Sequence, residues 1–83
     1  MDLLSVVADP VRLGLLDRLA DGAAHCVCDL NDGTVAANLL SYHLRVLRDA
    51  GLVTASRRGR WIDYTLVHGA LARLHDALPG GRS

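Results

Sequence analysis

The chain has 83 residues, 51% of them hydrophobic, and nine basic residues against nine acidic ones, so its formal net charge is zero. This length allows one small domain in which a single core is marginal, so we expect a dimer to bury further surface. The composition excludes a disordered chain, no apolar run is long enough to span a membrane, and no export leader is present, so we expect a cytoplasmic protein without a membrane partner.

The charges are distributed unevenly along the chain. Residues 1–44 hold six aspartates and two arginines, whereas residues 45–60 hold five arginines and one aspartate. Because the basic residues are concentrated in one segment, the zero net charge does not exclude a nucleic-acid partner.

The first elements are predicted to be helices. Residues 2–8 form a short apolar segment that we expect to pack on the last helix and on its copy in a partner chain. Asp9 and Pro10 then start a second helix, because Asp caps a helix N-terminus and Pro fits the first turn. This helix is expected to end at about Ala20. Its expected buried residues are the apolar ones, Val11, Leu13, Leu15, Leu16 and Leu19.

Residues 23–33 are expected to hold a short third helix with two cysteines, Cys26 and Cys28. Residues i and i+2 lie about 200° apart around a regular helix, so both sulfurs reach one ion only where the backbone is extended or frayed. Binding of one soft ion by both thiolates would therefore require this backbone to leave helical form. The alternative for each cysteine is burial as a small apolar residue.

Residues 38–50 are predicted to form an amphipathic helix. Leu40, Leu44 and Leu47 recur at i, i+4 and i+7 and give it one apolar stripe. Gly51 can end the helix with a positive φ. Asn38 is the better N-cap by residue type, although a start near residue 36 also fits the preceding turn.

The other face of this helix carries polar side chains suited to DNA. The candidates are Asn38, Ser41, Tyr42, His43 and Arg45. Arg45 is expected to reach a guanine edge. His43 is equally compatible with packing against the third helix.

Residues 53–66 predict a two-stranded ribbon, because two runs rich in β-branched and aromatic residues flank a basic turn that contains glycine. The turn is expected at residues 57–60, and its three arginines, Arg57, Arg58 and Arg60, are expected to hold DNA phosphates. Asp63 is expected to face solvent, and Trp61 to pack the ribbon onto the body.

Residues 68–78 predict a last apolar helix that ends at Pro79-Gly80-Gly81. Its surplus apolar surface favours a two-fold dimer contact. The whole layout is mainly α with a small β-hairpin. It is typical of a single winged helix-turn-helix domain over residues 1–83, with residues 38–50 as recognition helix, residues 53–66 as wing, and the two terminal helices as a homodimer interface.

Three strings resemble the ArsR/SmtB family of metal-responsive repressors: D-P-V-R-L-G-L-L-D-R-L, C-V-C-D-L, and L-L-S-Y-H-L-R-V-L-R-D-A-G-L-V followed by a basic wing. The resemblance implies a homodimer that binds double-stranded operator DNA and dissociates when a thiophilic metal or metalloid binds. C-V-C-D-L is similar to the motif of the arsenic, cadmium and lead sensors, which implies Cys26 and Cys28 as inducer ligands. The chain departs from the family in having His25 where an acidic residue usually precedes this motif, only two cysteines, and no Asp-x-His pair at the last helix.

Thiolates favour soft acceptors, so the expected inducers are arsenite, antimonite, cadmium or lead, with zinc less favoured. The third ligand stays open among His25, a non-protein oxygen or thiol, and a residue of the partner chain. No enzyme is expected, because no nucleophile stands with a base and an orienting group. The alternative function is a metal-independent or thiol-redox-sensing regulator with the same fold.

Overall fold

The computed structural model of the protein describes residues 2–78. Within them the elements run in the order α1 (Leu3–Val7), α2 (Pro10–Leu19), β1 (His25–Cys26), α3 (Val27–Leu30), α4 (Ala37–Asp49), β2 (Val53–Arg58), β3 (Trp61–Leu66) and α5 (Ala70–Ala77). This confirms the predicted mainly helical architecture with a winged hairpin between the last two helices. No helix in this part of the chain has the length and apolar character needed to cross a membrane.

α2 begins where the sequence predicts. Asp9 is its N-cap, and one carboxylate oxygen accepts the amide protons of Val11 at 2.8 Å and Arg12 at 3.3 Å. The helix ends at Leu19, one residue before the expected end. The expected burial of Leu13 is wrong: its side chain is 55% exposed, because the helix turns it away from the face that packs on the core.

The predicted leucine stripe of α4 forms the centre of the core. Leu40, Leu44 and Leu47 are 3%, 0% and 0% exposed. They pack with buried residues from the other elements, which are Val6, Leu15, Leu16, Leu19, Leu30, Leu52, Val53, Tyr64 and Ala70. Burial on this scale, about 1.5–3 kcal/mol for each large aliphatic side chain, fixes the rotation of α4 about its own axis.

The start of α4 differs from the favoured prediction. Asn38 is not its N-cap; Ala36 holds that position in an extended conformation and makes no side-chain cap bond. The amide of Leu40 donates to the carbonyl of Ala36 at 3.0 Å, so the backbone closes the first turn by itself. Asn38 therefore lies inside the helix with its side chain exposed, and the alternative start near residue 36 is correct.

The end of α4 is fixed by a glycine cap and by α5. Gly51 has a φ of 77°, as predicted, and the Leu52 amide donates to the Leu47 carbonyl at 3.0 Å, which is the Schellman pattern. Arg73 of α5 adds two donors: Nη1 lies 3.0 Å from the Gly51 oxygen and Nη2 lies 3.5 Å from the Ala50 oxygen. A cation thus neutralises the negative end of the helix dipole.

The sheet has three antiparallel strands in the order β1-β3-β2, one more strand than the predicted ribbon. The added strand is β1, which pairs with β3 in the register His25↔Tyr64 and Cys26↔Asp63. The hairpin itself is longer than predicted, because β2 runs through Arg58, which pairs with Trp61. The turn is consequently two residues long, and two arginines expected in the turn belong to the strand.

α5 starts two residues later than predicted, because Gly69 precedes it in a left-handed conformation with a φ of 83°. Leu74 packs against the core, whereas Leu71 and Leu78 are 47% and 48% exposed. The predicted helix end at Pro79-Gly80-Gly81 lies outside the described residues. The helix therefore carries apolar side chains in contact with solvent in the isolated chain.

We expect Asp9→Ala to lower the free energy of unfolding by about 1 kcal/mol through loss of the cap. Partial burial favours the protonated form of Asp9, but the amides of Arg12 and Val11 outweigh it and lower the pKa of the carboxyl below its ordinary 3.8. The carboxylate therefore stabilises the fold above pH 3.8, and this contribution is lost as the pH falls through the lowered folded pKa.

Urea denaturation of Asp9→Ala and of the native chain at several pH values would measure this difference. Asp17→Ala, which removes an exposed carboxylate from the same helix without removing a cap, is the matched control. A stability difference for Asp9→Ala that stays constant from neutral pH to below pH 3.8 would contradict the assignment.

Candidate nucleic-acid interface and cysteine site

α4 presents a polar face opposite its buried leucines. Four exposed side chains on this side, Asn38, Ser41, Tyr42 and Arg45, form what we call the recognition face. Their spacings of three, four and seven residues place them on one side of a helix. Amide, hydroxyl, phenol and guanidinium groups together supply the donors and acceptors that read base edges in a major groove.

His43 is placed apart from the recognition face. It lies on the flank of α4 towards the leucine stripe and is half-buried. Its ring packs edge-on against Tyr42, with centroids 5.4 Å apart and planes inclined at 62°. Its buried Nδ1 has no hydrogen-bond partner within the described chain. The helical period turns this position towards the body, and both predictions for His43, packing against the third helix and contact with DNA, stay predictions.

The three wing arginines are all exposed, but each has a different partner. The Nε atom of Arg57 donates to the carbonyl of Gly59 at 3.1 Å, and the Arg60 guanidinium lies 5.5 Å from the centre of the Trp61 ring. Arg58 forms two bonds to Asp63, from Nε at 2.9 Å and from Nη2 at 3.3 Å. The hairpin therefore carries its positive charge at its far end, where two of the three arginines have no carboxylate partner among residues 2–78.

Two sequence-based expectations about β3 are wrong. Asp63 does not face solvent: its side chain is only 17% exposed and its carboxylate is paired with Arg58. Trp61 does not pack the wing onto the body, because its side chain is 43% exposed near the tip beneath Arg60. Both errors follow from the unpredicted register, which places Asp63 in the middle of a three-stranded sheet and Trp61 at its end.

The two cysteine sulfurs are adjacent. Cys26 ends β1 with an extended backbone, φ −64° and ψ 144°, and is the N-cap of α3, whereas Cys28 lies in the first turn. The Cys28 thiol donates to the Cys26 sulfur at 2.6 Å, and the Cys28 amide lies 3.4 Å from the same sulfur. The sulfurs thus come together where the backbone is extended, as the spacing required, and this extended form is already present, so no helical backbone has to be broken first.

The contact between the two sulfurs changes the pKa of Cys28. The hydrogen bond to Cys26, loss of hydration, and the nearby charges of Cys26 and Asp29 raise the pKa of the Cys28 thiol above its ordinary 9.0. Two thiolates side by side repel, so the Cys28 proton is retained at neutral pH. A soft cation bound between the sulfurs removes this repulsion and displaces the proton.

His25 is not brought to the cysteine pair. Successive residues of a strand point to opposite faces, so its side chain leaves β1 on the side opposite Cys26. Its Nε2 atom lies 2.9 Å and 3.0 Å from the two carboxylate oxygens of Asp21, and this hydrogen bond lowers the pKa of Asp21. Residues 2–78 contain no group of three His, Cys, Asp or Glu side chains arranged to hold one metal ion. As candidate ligands for one metal ion, the described residues thus supply the two adjacent sulfurs of Cys26 and Cys28.

The functional pairing that sequence reasoning missed is that of Arg58 with Asp63. A cross-strand pair becomes visible only once the hairpin register is known. An expectation of a two-residue turn at Gly59-Arg60 would have revealed it, because that turn places Arg58 opposite Trp61 and diagonal to Asp63.

Known proteins resemble this chain over most of its length. Residues 7–55 match a family model described as a helix-turn-helix domain. The arsenical resistance operon repressor of Bacillus subtilis is 41% identical over 61 residues, which are 72% of this chain and 58% of the repressor. The HTH-type transcriptional repressor SmtB of Mycobacterium tuberculosis is 38% identical over 74 residues, 88% of this chain and 54% of the repressor. The chain therefore spans little more than half the length of these two repressors.

Two further relatives cover more of their own length. An uncharacterised HTH-type transcriptional regulator of Methanocaldococcus jannaschii is 34% identical over 80% of this chain and 75% of that protein. The crystal structure of a possible transcriptional regulator for arsenical resistance has a TM-score of 0.83 at 36% identity, over 92% of this chain and 79% of that chain.

The cysteine geometry makes a prediction about alkylation. Cys28 is exposed and Cys26 is buried, so iodoacetamide should modify Cys28 first. Because the reactive form is the thiolate and the Cys28 pKa is raised, the rate should be low at neutral pH and increase through alkaline pH.

Cys26→Ala removes the partner that raises the Cys28 pKa, so alkylation at pH 7 should then be faster. Mass spectrometry of timed reactions measures both rates. Equal rates for Cys28 in the native chain and in Cys26→Ala would show that Cys26 does not raise the pKa of Cys28.

Proposed function

This chain belongs to the ArsR/SmtB family of helix-turn-helix transcriptional repressors, and on that premise we propose that it binds operator DNA as a homodimer and is released by a thiophilic metal or metalloid. Its relatives are transcriptional regulators and not enzymes. The proposed inducer site is the pair Cys26 and Cys28, and the observation that carries it is the 2.6 Å separation of their sulfurs.

The recognition face and the wing divide the proposed contacts with DNA. Arg45 is the exposed guanidinium of the recognition face and has the fork geometry that reads guanine. Asn38, Ser41 and Tyr42 extend the same face. Arg57 and Arg60 lie on the hairpin, where their positive charges would bind the DNA phosphates without sequence specificity. His43 remains a predicted contact that depends on movement away from its packed position.

The proposed homodimer is supported by the apolar surface of α5. Leu71 and Leu78 stay about half exposed, and a two-fold axis through this helix would bury both copies at once. A two-fold dimer also places two recognition helices on successive major grooves, about 34–36 Å apart. The partial burial of Leu3 in α1 fits a terminal helix that completes the same interface.

Occupation of the cysteine pair would tie two elements together. Two thiolates bound tetrahedrally to one ion at about 2.3 Å have their sulfurs held about 3.8 Å apart. Cys26 belongs to β1 and Cys28 to α3, the element that precedes the recognition helix. A bound ion would therefore act on the joint between the sheet and the helix-turn-helix, which supports release of DNA on binding.

Soft-acceptor chemistry selects arsenite, antimonite, cadmium or lead as inducers over zinc. A third donor is required for each of these. A solvent oxygen, a small thiol or a residue of the partner chain meets this need without rearrangement, whereas His25 would first have to leave Asp21.

The alternative is a thiol-redox-sensing regulator, which the same sulfur separation favours. A disulfide joins two sulfurs at about 2.05 Å, and adjacent sulfurs meet the first condition for it. Against this, oxidation begins from a thiolate, and the raised pKa of Cys28 keeps that sulfur protonated at neutral pH. An ion, in contrast, displaces the proton itself. We therefore place metal or metalloid induction first.

We expect the reduced protein to shift DNA from upstream of its own gene in a gel. Arsenite, antimonite, cadmium or lead should weaken this complex about 5- to 150-fold, a range that corresponds to a coupling of about 1–3 kcal/mol. Cys26→Ser and Cys28→Ser should bind the same DNA and fail to respond. A complex that resists all these ions and zinc, but is released by peroxide or diamide, would establish the redox alternative instead.

Base readout by Arg45 and phosphate binding by Arg57 should be separable by mutation. Arg45→Ala is expected to cost about 1–3 kcal/mol on operator DNA and little on unrelated DNA, because it removes a base contact. Arg57→Ala should weaken both complexes alike and reduce the slope of log K against log salt by about 0.9. Fluorescence anisotropy titrations of both variants on both DNAs measure this. An identical loss on operator and unrelated DNA for Arg45→Ala would remove Arg45 from base readout.

A further inference from the structure

Asp63 occupies the middle of the sheet. Its Cα partners are Cys26 in β1 and Ser56 in β2, because β3 is the central strand. Directly opposed residues of an antiparallel sheet project to the same face, so both neighbours flank the Asp63 side chain. This position explains why that side chain is only 17% exposed although the surrounding wing is open to solvent.

The carboxylate of Asp63 is fully engaged by Arg58. Nε donates to Oδ2 at 2.9 Å and Nη2 to Oδ1 at 3.3 Å, a bidentate arrangement. The hydrogen bond from Arg58 outweighs the effect of partial burial and lowers the pKa of Asp63 below 3.8, so the carboxylate is ionised at neutral pH. The pKa of Arg58 is raised, chiefly by its hydrogen bond to Asp63 and by the charge of that carboxylate. The pair is electrically neutral as a unit.

Arg57 is the natural comparison for Arg58. The two arginines are neighbours on β2, yet the guanidinium of Arg57 meets only the uncharged carbonyl of Gly59. Arg60 lies over the Trp61 ring, which leaves its charge intact. Within the described chain, the wing therefore offers DNA two uncompensated arginines and one whose charge is cancelled.

We propose that Asp63 limits the affinity of the wing for DNA by neutralising Arg58. The inference rests on the DNA-binding function proposed above and adds to it a residue that opposes binding. A phosphate near Arg58 must compete with a carboxylate that already holds the guanidinium and that also repels the phosphate. A complex restrained in this way is easier to release, because an inducer changes affinity by only about 5- to 150-fold.

The test is Asp63→Asn, which keeps the shape of the side chain and removes its charge. Affinity for a fragment from upstream of the gene is measured by fluorescence anisotropy over a series of salt concentrations, after thermal melting has confirmed the fold. We expect about three- to ten-fold tighter binding near 0.1 M salt and a slope of log K against log salt steeper by about 0.9, the effect of one further phosphate contact.

Two controls separate this effect from a general change of charge. Asp17→Asn alters the net charge equally at an exposed carboxylate on α2, away from the recognition face, and should tighten binding less than about two-fold, because salt screens it. Asp63→Asn combined with Arg58→Gln should return the salt slope to that of the native chain. In nitrogen-15 spectra, the Arg58 Nε–H signal should be protected from solvent exchange in the native chain and lose that protection in Asp63→Asn.

The outcomes are distinct. Three results would overturn the role of Asp63 while leaving the repressor function in place. These are tightening in Asp63→Asn that only matches Asp17→Asn, tightening that persists after loss of Arg58, and weaker binding. Absence of salt-dependent DNA binding by the native chain would overturn both.

Discussion

The pairing of β1 with β3 is the contact on which both candidate sites depend. It involves only His25↔Tyr64 and Cys26↔Asp63, yet it joins the segment before the helix-turn-helix to the wing. It holds Cys26 in extended backbone, so that Cys28 in the next helical turn can bring its sulfur alongside. It also makes β3 the central strand and places Asp63 between neighbours. Without this short strand, the cysteines would be a helical i, i+2 pair on opposite sides and Asp63 an edge residue in water.

The sequence predicted the helical part of the fold from local rules. The Asp9-Pro10 start, the leucine stripe of α4 and the glycine cap at Gly51 each involve residues within a few positions of one another, and all are confirmed. The same rules failed for β1. A strand of two residues has no periodicity, and its partner lies 37 residues further along the chain for Cys26 and Asp63, so no local pattern signals it.

Errors at the candidate site follow from that missing strand and from the unpredicted register of the hairpin. The exposed face of α4 was predictable because helical period alone assigns Asn38, Ser41, Tyr42 and Arg45 to one side. The pairing of Arg58 was not, since it depends on register across the hairpin. The cysteines were identified by residue type. Their geometry was not, because the sequence predicted a short helix where the structure has a strand that ends at Cys26 and a helix that Cys26 caps. The sequence was enough to assign the chemistry of a residue, whereas the fold was needed to find which residues it contacts.

Arg73 links the terminal helix α5 to the end of the recognition helix α4. Its guanidinium closes on the Ala50 and Gly51 carbonyls, so α5 and the end of α4 are held as one unit. In a dimer built through α5, the angle at which the two copies cross then determines the angle between the two recognition helices. In such a dimer the distance between the half-sites of a cognate operator would be set by the packing of leucines remote from DNA, and relatives with the same recognition face but a different α5 would select operators of different spacing.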